Sequence, residues 1–262
     1  MRKLKKIIKS FTQKLLIQYL KNIFRPSSYP YLTGDTLRKH SEQIHDETSK
    51  LDPGKIKKGD LVFVKTDFLI DYFENIHPKI KYRYYLLTHN SDFEITKEYK
   101  KYCDEKIIIW YAQNLNFEMN HSIQPIPIGL ENKRFLKGGL ISHYKGTNTI
   151  EKNKFVYSCF NESTHKDRIG INNLYQDNKL VTICKGTNHK RYIQNLSEFK
   201  FNLCPRGNGL DTHRIWESLM VKSVPILLKN KFSENFINLG LPFLLLDEWE
   251  ELNAYNEEEL DS

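Results

Sequence analysis

The stretch FNLCPRGNGLDTHRIWESLMVKSVPILL, Phe201–Leu228, decides the fold. An apolar run through Phe201, Leu203 and Cys204 stops at Pro205, and Gly207 and Gly209 open a loop. Apolar positions then recur at helical spacing from about Asp211 to Ser223, and Val224–Leu228 is apolar again. The spacing predicts strand, glycine loop, helix, strand. Such a layout presents bare backbone N–H groups and a helix N-terminus, which together suit a phosphate. Arg214 and Glu217 stand three apart, so they share one helix face. Arginine forks onto a diphosphate, and a carboxylate accepts hydrogen bonds from a ribose diol. Arg206, Gly207, Asn208, Gly209 and Asp211 join them as candidate donor-binding positions. Plainer readings stand beside these. Arg214 and Glu217 also suit a solvated helical ion pair, glycines serve any loop that needs positive φ, and Asp211 suits a helix cap. His213 points to another sector of the helix, fitting packing or the acceptor side.

Working outward, the chain alternates strand and helix twice. From Gly59, strands are expected at Leu61–Lys65, Tyr84–Thr88, Ile107–Trp110 and Ile123–Ile128, with helices over Asp67–Ile76 and Phe93–Tyr102. After a polar connection, Gly138–Asn153, come strands Phe155–Phe160, Leu180–Cys184 and Phe201–Cys204, with helices over Arg168–Tyr175 and Tyr192–Leu196. Phe243–Leu246 closes the series. The runs are continuously apolar rather than alternating, as in parallel strands buried on both faces. Two βαβ blocks imply an α/β protein of two Rossmann-like lobes with a cleft between them. The expected division is 1–30 for a basic helix and linker (Pro26–Asp35 being turn-rich), 31–150 for an acceptor-side lobe, and 151–262 for a nucleotide-sugar lobe.

The string CPRGNGLDTHRIWESLMVKSVPIL resembles the C-terminal signature of exostosin-type glycosyltransferases and their bacterial and viral relatives. Looser likeness extends through LVFVKTDFL, YYLLTHNSD, IIIWYAQN, PIPIGLEN and LPFLLLDEWEEL, so it spans most of Gly59–Leu252. One departure is Lys222-Ser223, where relatives often carry glycine. The resemblance implies a two-lobed, B-type glycosyltransferase whose C-terminal lobe holds the donor. The sequence contains no Asp-x-Asp, the motif with which single-lobed, metal-dependent transferases hold a divalent ion, so a donor site without metal or other cofactor is expected.

Ligands of open α/β sheets bind beyond the carboxyl ends of the strands, which selects the loops to inspect. Arg168, after the cap-like cluster Asn161–Thr164, is a candidate second contact to the diphosphate, and Lys185-Gly186-Thr187 a candidate lining for the base. An inverting transferase needs a general base near the acceptor hydroxyl. Asp92 is the first choice and Asp67 the second, although aspartate after a strand commonly caps the next helix. Trp110, with Tyr111, Gln113 and Asn114, suits a sugar-stacking platform on the acceptor side. Gly129, Glu131 and Asn132 border the same region.

Composition bounds the alternatives. With 262 residues, 39% hydrophobic and 13% aromatic, the chain carries enough apolar material for packed cores. Its net charge of +8 is concentrated at one end. Residues 1–25 hold eight lysines and arginines and no acid, whereas 247–262 holds eight acids and no base. That asymmetry argues against a nucleic-acid groove. The same first 25 residues interleave lysines with Leu4, Ile7, Ile8, Phe11, Leu15 and Ile23, a basic amphipathic pattern suited to an anionic membrane surface or to a protein partner. Four widely spaced cysteines form neither a zinc ribbon nor a disulfide framework, which fits a reducing compartment. The expectation is therefore a cytoplasmic enzyme, peripheral on the inner membrane face, moving sugar from a nucleotide-diphosphate donor to a glycan or glycolipid. A fucosyltransferase-like enzyme using a guanine nucleotide and a noncatalytic nucleotide-sugar-binding scaffold are the rival readings.

Overall fold

The two β/α alternations build two five-stranded sheets, and every strand pairing in them is parallel. The structure, a computed structural model, describes residues 23–184 and 186–261. All but the end of the basic segment 1–25 lies outside the described residues, as does Lys185. In the first sheet β1 (Gln43–His45), β2 (Leu61–Lys65), β3 (Tyr84–His89), β4 (Ile107–Ala112) and β5 (Ile123–Pro125) lie side by side in chain order. The second sheet holds β6 (Lys154–Ser158), β7 (Val181–Ile183), β8 (Phe199–Leu203), β9 (Val224–Leu228) and β10 (Leu244–Leu246). Its order is β10-β9-β8-β6-β7, so the winding direction reverses between β6 and β8.

Both sheets are covered on two faces, which is why their strands read as unbroken apolar runs. In the second sheet Val156 and Ile226 enter one core cluster while their chain neighbours Tyr157 and Leu227 enter the other. In the first, Val62, Phe63 and Val64 are all fully buried. The main helices are α1 (Gly34–Lys39), α2 (Leu69–Asp71, continued by a wider turn over Tyr72–Ile76), α3 (His189–Leu196), α4 (His213–Met220), α5 (Lys231–Asn238) and α6 (Glu257–Asp261).

Several expected elements are shorter than the pattern suggested. The helix foreseen over Arg168–Tyr175 is two 3-10 turns, Lys166–Arg168 and Ile171–Tyr175, separated at Gly170, whose φ of 86° is left-handed. Phe93–Tyr102 forms only a 3-10 segment, Lys97–Tyr102. The signature helix starts two residues late because Thr212 is extended (φ −127°), and it ends at Met220. Lys222 just beyond has φ 61°. The backbone thus turns left-handed just past the helix, and lysine occupies that position against its own preference.

The turn-rich stretch expected as a linker is packed rather than free. Thr33, Gly34 and Asp35 are buried, and Leu130 N–H donates to the Leu32 carbonyl at 2.9 Å. Polar clasps join the lobes. Asn114 Oδ1 accepts from the Asp211 amide at 2.8 Å, and Asp211 Oδ2 accepts from the Ile128 amide at 2.6 Å. From α5, Asn235 accepts from Met119 N–H (2.9 Å) and donates to the Phe117 carbonyl (2.8 Å).

Candidate active site

The reversal between β6 and β8 makes a crevice at their carboxyl ends, the place where doubly wound sheets bind ligands. A cleft of about 710 Å³ opens there. The loop after β6 contributes Cys159, Phe160 and Asn161, the loop after β7 Gly186 and Thr187, and the loop after β8 Gly207–Gly209. Thr212, Arg214 and Glu217 enter from the start of α4, and Asp92 and Ile128 from the first lobe.

Two guanidinium groups form its floor. Arg168 is 4% exposed and spends its donors on main-chain carbonyls: Nε to Arg206 (2.6 Å), Nη1 to Asn161 (3.2 Å) and Nη2 to Pro205 (3.1 Å). Arg214 Nη2 donates to the Cys159 carbonyl at 3.1 Å, while its buried Nε has no hydrogen-bond partner among the described residues. The rings of Phe160 and Tyr192 lie beneath Arg214, at 5.9 and 6.0 Å, and Phe160 also lies 5.7 Å from Arg168. Burial and the neighbouring Arg214 charge push Arg168 down to about 10, which leaves it cationic at neutral pH. Among the described residues neither guanidinium has a carboxylate within ion-pair distance, and Glu217 acts on Arg214 only from further off. Thr212 Oγ1, the cap residue of α4, is likewise buried and without a partner. Buried polar atoms call for a partner from water, an ion or a ligand, and these two line the cleft.

Glu217, one turn after Arg214, does not pair with it. Its Oε1 lies 2.8 Å from His189 Nε2 at the start of α3. Burial opposes its ionisation, but the His189 hydrogen bond and the charges of His189, His213 and Arg214 outweigh that and hold the carboxyl below its usual range. An ionised carboxylate thus stands beside the two cations with one oxygen committed to imidazole.

The glycines act through space rather than through φ, since neither Gly207 nor Gly209 is left-handed. A Cβ at Gly209 would sit 2.9 Å from Asn114 Nδ2, so glycine lets the loop close on the first lobe. At Gly207 the nearest atoms, Arg168 Nη2 and Thr212 Cγ2, are 3.5 Å away, and the missing side chain leaves cleft space beside both.

The structure distributes the remaining candidates. Asp92 is exposed on the first-lobe wall of the cleft. Asp67 lies outside the lining and faces Lys65 at 3.5 Å. Arg206, too, is absent from the lining; it pairs with Glu94 (2.8 Å) and the Asn208 carbonyl (3.0 Å), tying loop to first lobe. Asp211 borders the cleft, but both its oxygens are spent, on Ile128 N–H and on Trp216 Nε1 at 2.7 Å; burial pushes it up to about 7 against those bonds. The stacking platform must be corrected. Trp110 is fully buried in the first core, its Nε1 on Thr88 Oγ1 at 2.9 Å, so it offers no face to a sugar. Gln113 and Asn114 are buried as well, both donating to the Ser91 carbonyl. Glu131 faces His213 Nε2 at 3.6 Å, while His213 Nδ1 engages the Gly129 carbonyl at 2.8 Å. Phe160, Tyr192 and His189 were not foreseen. Only their places at a strand end and at a helix start could have signalled them.

No protein-family model matches the chain, and no curated protein does. Among solved structures it is similar to one described as a crystal structure of an alpha1,3-fucosyltransferase, with 13% sequence identity and a TM-score of 0.37 over 84% of this chain and 89% of that one. A likeness of that size carries no function across. Among the described residues, no helix is long and apolar enough to cross a membrane.

Proposed function

We propose that the chain is a glycosyltransferase that moves a sugar from a nucleoside-diphosphate donor to a hydroxyl of a glycan or glycolipid. The observation that carries this reading is the pair Arg168 and Arg214, two buried guanidiniums at the switch point of the second sheet whose hydrogen bonds among the described residues go to main-chain carbonyls. In such a transfer the bond between the anomeric carbon and the diphosphate oxygen breaks, the acceptor oxygen bonds to that carbon, and the acceptor proton passes to a base. Negative charge grows on the departing diphosphate, where fixed cations in a desolvated site lower the barrier most. Arg214, with a spare Nε donor, contacts the diphosphate; Arg168 sets the local potential from behind; Glu217 receives the ribose hydroxyls through its second oxygen. Asp92, exposed at the cleft wall, takes the acceptor proton.

The exostosin-type signature around Gly207–Glu217 supports the same reading, and the two guanidiniums supply charge that a divalent ion supplies in other transferases. Residues 1–25 would bring the enzyme to an anionic cytoplasmic membrane face, which flotation of the full chain with anionic vesicles checks at low salt. For the activity itself, Arg214→Ala should abolish transfer from a panel of nucleotide sugars while circular dichroism and melting stay close to wild type. Normal turnover in that variant would remove the proposal.

A further inference from the structure

A chain of hydrogen bonds runs from the cleft carboxylate out to the segment that connects the lobes. Glu217 Oε1 meets His189 Nε2 at 2.8 Å, and His189 Nδ1 meets His143 Nδ1 at 2.8 Å. His143 sits on the 3-10 turn Ile141–Tyr144, packed against α3. We propose that His143 is a positioning residue for the nucleotide site: through His189 it fixes the carboxylate that receives the ribose. The inference rests on the glycosyltransferase reading only in taking Glu217 as the ribose acceptor.

Proton counting gives the relay its behaviour. Glu217 is ionised, so His189 must carry its proton on Nε2 to donate to it. Neutral His189 then has a lone pair on Nδ1, and His143 donates from its own Nδ1. If the pair gains one proton, the contact survives, since one Nδ1 still donates and the other still accepts. If it gains a second, two N–H groups face each other at 2.8 Å and the contact breaks. The surroundings resist that second proton. His143 is held below its usual range by burial and by the charges of His189 and Lys190. Around the rings stand Tyr144 on the same turn, Lys190 and Tyr192 on α3, Glu217, His213 and Arg214 on α4, and Glu131 from the first lobe. Glu217 and Glu131 attract positive charge on His189, whereas Lys190 opposes it on His143. Acid should therefore release the relay only after both rings are charged, and the ribose contact should weaken then.

Added positive charge by itself strengthens diphosphate binding, so the test must cancel that effect. Calorimetry on the full chain with UDP and GDP, each against its 2′-deoxy counterpart, isolates the ribose contact as a ratio of affinities across pH 5–8. Wild type should prefer the ribonucleotide by about tenfold, the scale of a hydrogen bond to a charged group, and lose that preference at the acid end. His143→Leu should shrink the ratio about threefold or more at pH 7–8, where wild type holds it, and leave it nearly flat with pH. In His143→Asn the amide nitrogen takes the place of Nδ1 and does not titrate, so the ratio should be restored and become flat with pH. An unchanged ratio in His143→Leu, or a leucine-like ratio in His143→Asn, would overturn the inference. Failure of wild type to bind either diphosphate would instead overturn the functional proposal itself.

Discussion

Replacing Gly209 with alanine tests how the glycine loop is used. The new methyl carbon would lie 2.9 Å from Asn114 Nδ2, 3.1 Å from Oδ1 and 3.3 Å from Cγ. An exposed amide would swing away cheaply, but Asn114 is 1% exposed and held at both ends. Its Oδ1 accepts from the Asp211 amide (2.8 Å) and its Nδ2 donates to the Ser91 carbonyl (3.1 Å). Moving it strands a buried N–H, worth about 1–3 kcal/mol, and overpacking a tight site adds a cost of similar size. The two overlap, so the expected loss is roughly 2–4 kcal/mol, a fall in melting temperature of about 4–7 °C for a chain this long. Gly207→Ala is the internal control. Its nearest neighbours are 3.5 Å away, an ordinary contact, so melting should shift by no more than about 2 °C while nucleotide affinity drops as the methyl enters the cleft beside Arg168. Thermal melts of the two purified variants in parallel decide. Equal melting temperatures for Gly209→Ala and wild type would refute the space argument, as would an equally large loss in Gly207→Ala.

Three further outcomes follow from particular residues. His89 is fully buried and held neutral: burial pushes it down to about 4, with Nδ1 accepting from the Asn90 amide at 2.8 Å. Unfolded histidine titrates near 6.5, so the unfolded chain binds the extra proton first and stability should fall as pH drops from about 6.5 to about 4, by about 3 kcal/mol at most. His89→Gln should flatten that part of the denaturation-versus-pH curve, and an unflattened curve would count against it. Lys222→Gly should raise the melting temperature by about 1–4 °C, because glycine relieves the left-handed strain at φ 61° at some cost in chain entropy. Arg206→Ala should cost under about 1 kcal/mol, since its bridge to Glu94 is partly exposed, and should leave nucleoside-diphosphate affinity within about twofold. A large loss of affinity would return Arg206 to the donor site.

Much of the architecture is legible in the chain because parallel strands buried on both faces leave unbroken apolar runs. Val224–Leu228 and Leu61–Lys65 stand where the runs place them. β1 escaped notice because Gln43-Ile44-His45 is a three-residue edge strand with no such run. α5 escaped as well, although Asn230 and Ser233 form a reciprocal cap at its start. At the site, local sequence placed Gly207, Arg214 and Glu217 in one cleft with Arg168. It misjudged Trp110, since the position of an aromatic near a strand end does not tell which face it takes. Partnerships were least legible. Arg206 meets Glu94 across 112 positions and Asn235 meets Phe117 across 118, and no periodicity encodes separations of that length.

The most direct test of the two-cation cleft is calorimetric titration of the full chain with UDP and GDP, beside their parent nucleosides, at low and high salt. A diphosphate should bind in the micromolar range, far more tightly than its nucleoside, weaken as salt rises, and lose most of its affinity in Arg214→Ala. Equal weak binding of diphosphate and nucleoside, indifferent to salt and to that substitution, would contradict the account.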